Sequence, residues 1–184
     1  MKHVSTREFF AHWDQARGKA HAPDRVDLAP EPVRHLLADV FVLGTDSGSD
    51  YPFRVAGTRV CALTGQDLKN VSFPSLFEGQ SRTEITDLIA IVAEEMLPTI
   101  AGVTATAADG RAMPMELLLL PFSTRAHTPT SLTGLLVPFE PAELPLTAFQ
   151  LTSWRHIHPP RLVTPRMMRR WNTLRGFTVY EGLR

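Results

Sequence analysis

The residue types that do chemistry in proteins are present in this chain, but few of them fall at spacings that make a site. A Ser nucleophile elbow, a Gly-rich phosphate loop and a His-Glu-x-x-His zinc motif all have no match in the sequence. Asp67 and Glu116 are carboxylates that could sit near a sheet, yet no spacing pairs them, and isolated carboxylates are usually solvated. His156-Ile157-His158 puts two imidazoles at i and i+2, on one face of a strand. Without a neighbouring carboxylate or thiolate, that pair reads as surface histidine rather than as a metal centre. Arg54 and Arg59 are the cations placed to anchor a carboxylate or phosphate, with surface ion pairing as their simpler role. These residues predict no catalytic group and no metal.

The wider composition sets further bounds. The chain has 184 residues, 43% of them hydrophobic, which suits one domain with extensions and a real core. Charges balance at 19 and 19 over the whole chain, but not locally. Residues 1–149 carry 12 basic and 18 acidic residues, whereas residues 150–184 carry seven arginines and the single acid Glu181. A basic tail that neutralises its own acidic domain accounts for this more simply than nucleic-acid binding does. Trp154, Trp171 and Tyr180 interleave with Arg155, Arg161, Arg166, Arg169, Arg170 and Arg175, a mixture that favours protein interfaces and would also suit nucleic acid. Cys61 is the one cysteine, so no intrachain disulfide can form. No apolar run approaches the roughly 20 residues that span a bilayer, and the expected location is the cytoplasm.

The elements that would position these residues follow from periodicity. Phe9, Phe10, Trp13 and Ala16 share one face of a first helix, which opens at Ser5 with Glu8 in capping-box spacing and stops at Gly18. A helix from Pro32 to about residue 38 precedes two strands, at about 39–44 and 52–57, joined by a Gly- and Ser-rich gap. Thr58–Thr64 reads as a helical turn closed by Gly65, and Ser72–Phe77 as another short helix. Ile85, Leu88, Ile89, Val92 and Met96 mark the stripe of a long helix over residues 81–97, ended by Pro98. Three strands then run at 100–107, 112–122 and 132–139, the first two joined by the Asp109-Gly110 turn. The expected fold is α+β: a five-stranded antiparallel sheet with helices on one face, an N-terminal helix and a basic C-terminal extension. The expected divisions are residues 1–37, 38–140 and 141–184. The last comprises a Pro-rich linker and a tail with one short helix from Thr164-Pro165 to Arg175.

That order of elements resembles a PAS domain. The local sequence is similar to the single-domain PAS family of alphaproteobacteria known as PAS_5. The resemblance rests on Phe10–Trp13 with Arg17-Gly18, on Pro23-Asp24-Arg25-Val26-Asp27-Leu28-Ala29-Pro30, on Leu36-Leu37-Ala38-Asp39-Val40-Phe41, on Phe53-Arg54-Val55-Ala56-Gly57-Thr58, and on Thr64-Gly65-Gln66-Asp67-Leu68. It spans roughly residues 5–140 and leaves the tail unplaced. It implies a non-enzymatic sensory or signalling module that works through an unidentified protein partner. It also implies a homodimer built partly on the first helix, with Phe9, Phe10 and Trp13 as interface residues.

The same resemblance gives the cofactor expectations. PAS haem sensors ligate iron through a histidine on or near the long helix, and residues 81–97 contain none, so haem is not expected. Light-oxygen-voltage photochemistry uses a cysteine in an Asn-Cys-Arg context; Cys61 sits in Arg59-Val60-Cys61-Ala62-Leu63, so flavin is not expected either. A ligand pocket would lie between the sheet and the short helices. Its walls would be Phe41, Phe53, Val55, Leu63, Phe73, Leu76, Leu88, Val92, Leu117, Leu119 and Leu135, with Arg54 as a polar anchor. So apolar a set fits a small apolar ligand, or equally a filled core with no ligand at all.

Overall fold

The computed structural model describes residues 1–45, 48–123, 131–141, 143–157, 168–174 and 177–182, the last two stretches as backbone only. Helix α1 spans Val4–Arg17 and ends on Gly18 at φ 54°, as its sequence predicts. Its cap differs from expectation. Ser5 lies inside the helix, and its amide donates to Nδ1 of His3, which is the N-cap. Glu8, expected to close a capping box, instead meets His35 at 3.0 Å. A 3-10 stretch over Glu31–Asp39 leads into strand β1 (Val40–Gly44), followed by β2 (Phe53–Ala56) and helix α2 (Thr58–Thr64). Gly65 closes α2 at φ 69° in the left-handed region. Helix α3 covers Gly79–Glu94, and β3 (Thr99–Thr106), β4 (Ala112–Pro121) and β5 (Ser131–Pro138) follow.

The sheet has six strands rather than five, in the order β2-β1-β5-β4-β3-β6, with every pairing antiparallel. The added strand β6 (Thr147–His156) comes from residues expected to be linker and tail. Its burial explains why it joins the domain. Leu146 and Phe149 are each 2% exposed, the Leu146 amide donates to the Leu63 carbonyl, and the Glu78 amide donates to the Phe149 carbonyl. The tail differs again further on. The expected helix ending at Arg175 falls on β7 (Met168–Leu174), which pairs antiparallel with β8 (Phe177–Gly182). Trp171, Thr173, Phe177, Thr178, Val179 and Tyr180 in that stretch are residue types that favour strands.

Helices pack on both faces of the sheet, not on one. The inner face meets α2, α3 and the 3-10 turn Phe73–Leu76 in one buried cluster that includes Phe41, Phe53, Leu88, Leu117 and Leu119. The outer face buries Leu118, Leu120, Leu135 and Val137 beneath α1 and the Glu31–Asp39 segment, through Phe9, Trp13, Val33 and Leu36. Strand alternation divides Leu117-Leu118-Leu119-Leu120 between the two layers, so a wholly apolar run serves a sheet covered on both sides.

Candidate functional site

The inner face is where the expected pocket walls gather. Phe41, Phe53, Leu63, Phe73, Leu88, Val92, Leu117 and Leu119 belong to one buried cluster, with Leu76 packed at its margin. The cluster is filled by rings. Phe41 stacks on Phe73 at 5.1 Å and meets Phe53 edge-on at 5.5 Å; Phe73 continues to Phe77, and Phe77 to Phe149. Gly134 on β5 makes room for this. A Cβ built there would fall 2.2 Å from the Phe41 ring, so the ring lies directly on the β5 backbone. Phe77 and Phe149 were not among the expected residues. Phe77 ends a stretch whose sequence reads as a short helix, and Phe149 lies in the expected linker.

Three expected pocket residues lie elsewhere. Leu135 is buried on the outer face under α1, because Gly134 and Leu136 take the inward positions of β5. Val55 is 53% exposed. Alternation from Phe53 would point it inward, but the β1–β2 register shifts: Leu43 pairs with Phe53, Val42 with Val55 and Phe41 with Ala56. The bulge adds Arg54 to one strand and turns Val55 to the other face. Arg54 is exposed and is not a pocket anchor. Arg59 is engaged too. Its guanidinium donates to both carboxylate oxygens of Asp39, each at 2.6 Å, and to the His35 carbonyl, stapling α2 to the Glu31–Asp39 segment. The hydrogen bond to Asp39 raises its pKa above the ordinary value.

Asp67 is exposed and accepts from the Lys69 amide, whereas Glu116 is buried. Glu116 has a defined role. Its carboxylate lies 5% exposed on the outer face and accepts from the amides of Lys2 and His3 and from the Thr6 hydroxyl, at 2.6 to 3.0 Å. Burial pushes its pKa up. The three donors and the nearby N-terminal ammonium outweigh that and hold it below the usual carboxylate value. His156 hydrogen-bonds Thr99, its partner across β3–β6, and His158 lies outside the described residues. Among the described residues no three His, Cys, Asp or Glu side chains come together as a metal site. The arginines after residue 157, with Trp171 and Tyr180, also lie outside the side chains described. No described helix is long and apolar enough to cross a membrane.

The aromatic face expected to form a dimer contact is used within the chain. Phe9 is 2% exposed, Trp13 is fully buried, and Trp13 Nε1 donates to the Pro121 carbonyl at 2.9 Å. Phe10 is half-buried and stacks on Trp13. The sheet's outer face therefore covers Phe9 and Trp13 within the chain. Replacing Trp13 with Ala is expected to cost about 3–5 kcal/mol of stability. The molar mass by light scattering is expected to stay the same across concentrations. A change in mass without a loss of stability would restore the dimer role.

No curated protein matches this chain. Similar solved structures include a light-oxygen-voltage protein of Rhodobacter sphaeroides, at 14% identity and TM-score 0.45, covering 60% of this chain and 67% of that one. A second is the light state of the blue-light photoreceptor Aureochrome1, at 12% identity and TM-score 0.46, covering 60% and 88%. A third is a light-oxygen-voltage domain studied with a flavin analogue, at 12% identity and TM-score 0.48, covering 60% and 83%. The expectation of no flavin is corrected beside these light-oxygen-voltage structures, one of them studied with a flavin analogue. The context of Cys61 bears on photochemistry at a cysteine, and holding a flavin is a separate property. The PAS_5 family, described as a PAS domain, matches residues 1–137, and this chain belongs to that family, whose fold is that of a sensory domain.

Proposed function

We propose that this chain is a sensory module that performs no reaction of its own and passes its signal on through contacts with another protein in the cytoplasm. The observation that carries this reading is the closure of the inner face by Phe41, Phe53, Phe73, Phe77 and Phe149, with Phe41 seated on Gly134. A domain so filled acts by the surface it presents. Trp154 and Phe139 are large apolar side chains on that surface, 49% and 39% exposed.

The test is crosslinking in the organism that encodes the chain, comparing the natural sequence with Trp154→Asp and Phe139→Asp. At least one protein is expected to be enriched about tenfold by the natural chain over both variants, a difference of about 1.4 kcal/mol in binding. A partner list indifferent to both substitutions would overturn the reading.

A second reading is favoured by the meeting of eight expected pocket residues in one cluster. A small apolar ligand, with flavin among the candidates, would enter there if the rings moved apart. Every buried side-chain nitrogen and oxygen among the described residues already has a hydrogen-bond partner. Such a ligand would therefore be held by shape and apolar contact first. Native mass spectrometry of the purified chain decides this reading by the presence or absence of an added mass.

A further inference from the structure

A groove of about 350 Å³ opens on the outer face of the sheet, beside the start of α1, with Phe139 and Trp154 of the proposed partner surface among its walls. Lys2, Ile100, Gly102, Phe139, Ser153 and Arg155 are among the residues that line it. Gly102 keeps its floor low. A Cβ at that position would lie 2.8 Å from Thr152 Oγ1 and 2.9 Å from Ser153 Oγ. Ile100 supplies buried apolar surface at the floor, and Phe139 supplies an exposed ring at the wall.

The polar groups are unequally occupied. Glu116 also lines the groove, but its carboxylate is taken up by the Lys2 and His3 amides and the Thr6 hydroxyl. The Lys2 ammonium and the Arg155 guanidinium have no ion pair or hydrogen bond among the described residues. Arg7 adds a third cation close by, donating to the Lys2 carbonyl at 3.0 Å. The site thus combines an apolar floor with cations whose nearest acid is already satisfied. Arg is suited to carboxylate by its two-pronged geometry.

We propose that this groove binds a small amphipathic carboxylate, with an apolar body of about one ring against Ile100 and Phe139 and its carboxylate on Arg155 and Lys2. The volume lies near the lower end of the roughly 300–1,000 Å³ typical of small-molecule sites, which sets the size of the body. Charge complementarity sets its sign. The proposal holds whether or not the inner face admits a ligand.

The test is a nuclear magnetic resonance titration of the full chain with 3-phenylpropionate, read at the backbone amides. Saturable shifts are expected at Gly102, Ser153 and Arg155, with a dissociation constant on the order of 1 mM. Arg155→Gln and Lys2→Gln change exposed side chains and leave the fold intact; each is expected to weaken binding at least tenfold. The neutral 3-phenylpropanol is expected to bind as weakly as the acid binds those variants. Equal shifts from acid and alcohol, unchanged affinity in Arg155→Gln, or shifts confined to the amides around Phe41 would each overturn the proposal. The last outcome would place the ligand on the inner face instead.

Discussion

Replacing Glu116 with Ala is expected to remove about 3 kcal/mol of stability, lowering the melting temperature by about 6–12 °C. The carboxylate accepts two backbone amides and one hydroxyl while almost wholly buried. Hydrogen bonds to a charged group contribute more than neutral ones, and removing the acceptor leaves the Lys2 and His3 amides and the Thr6 hydroxyl to find other partners. Glu116 sits on β4 and its donors lie at the start of α1, so the loss is felt where the helix docks. Glu116→Gln keeps the shape but loses the charge, and its amide nitrogen faces donors. An intermediate loss is expected. Hydrogen exchange at the amides of residues 2–6 should rise in both variants before exchange in β4 does.

The pH dependence has a definite sign. The Glu116 pKa is held below its ordinary value of 4.5, so the unfolded chain takes up a proton first as pH falls. The stabilisation is therefore fully present above about pH 5 and declines as pH falls through the folded pKa. The stability difference between the natural chain and Glu116→Gln should be constant from pH 6 to 7 and narrower at pH 3, as read from urea unfolding. The other carboxylates are common to both proteins and cancel in that difference. An equal gap at pH 3 and pH 7 would show that the Glu116 charge contributes nothing.

The parts of the fold that were legible in the sequence are those fixed by local chemistry. Gly65 predicted the end of α2 because a left-handed stop needs glycine, and it stands at φ 69°. Gly57 belongs to the stretch that carried the family resemblance, and the structure shows why glycine is there: a Cβ would meet the Ala38 carbonyl oxygen at 2.3 Å. Non-local pairing was not legible. Val55 looked inward because strict alternation was counted from Phe53, and a bulge against β1 reversed it. Leu135 looked inward because nothing local distinguishes it from Leu136. β6 falls on the end of the expected linker and the start of the tail, behind Pro141 and Pro145; its strand character comes from β3 and from the burial of Phe149 against Phe77. Glu116 was seen as an isolated carboxylate, since its donors lie more than 100 residues away.

Phe41→Ala is expected to be the most damaging single truncation of the inner face, at about 3–5 kcal/mol, because it removes a fully buried ring and leaves a cavity. Phe41 touches Phe53 and Phe73 and covers Gly134, so its neighbours come from β2, β5 and the Phe73–Leu76 turn. Those elements are tied by backbone pairing, and the β1–β5 ladder limits how far they can collapse inward. The cavity should therefore persist, lined by aromatic and aliphatic atoms, and such cavities stay dry and accept small hydrocarbons. Benzene should raise the melting temperature of Phe41→Ala and leave the natural chain unchanged. Phe41→Leu, which fills part of the space, should lose less stability and respond less to benzene, and it keeps the test usable if the Ala variant does not fold. The comparison separates the two readings of the domain. Stabilisation of the natural chain by benzene would mean that the rings open in solution and that the inner face is a ligand site. Stabilisation of the variant alone would mean that Phe41 already occupies the place a ligand would take, and that the signal enters by the surface.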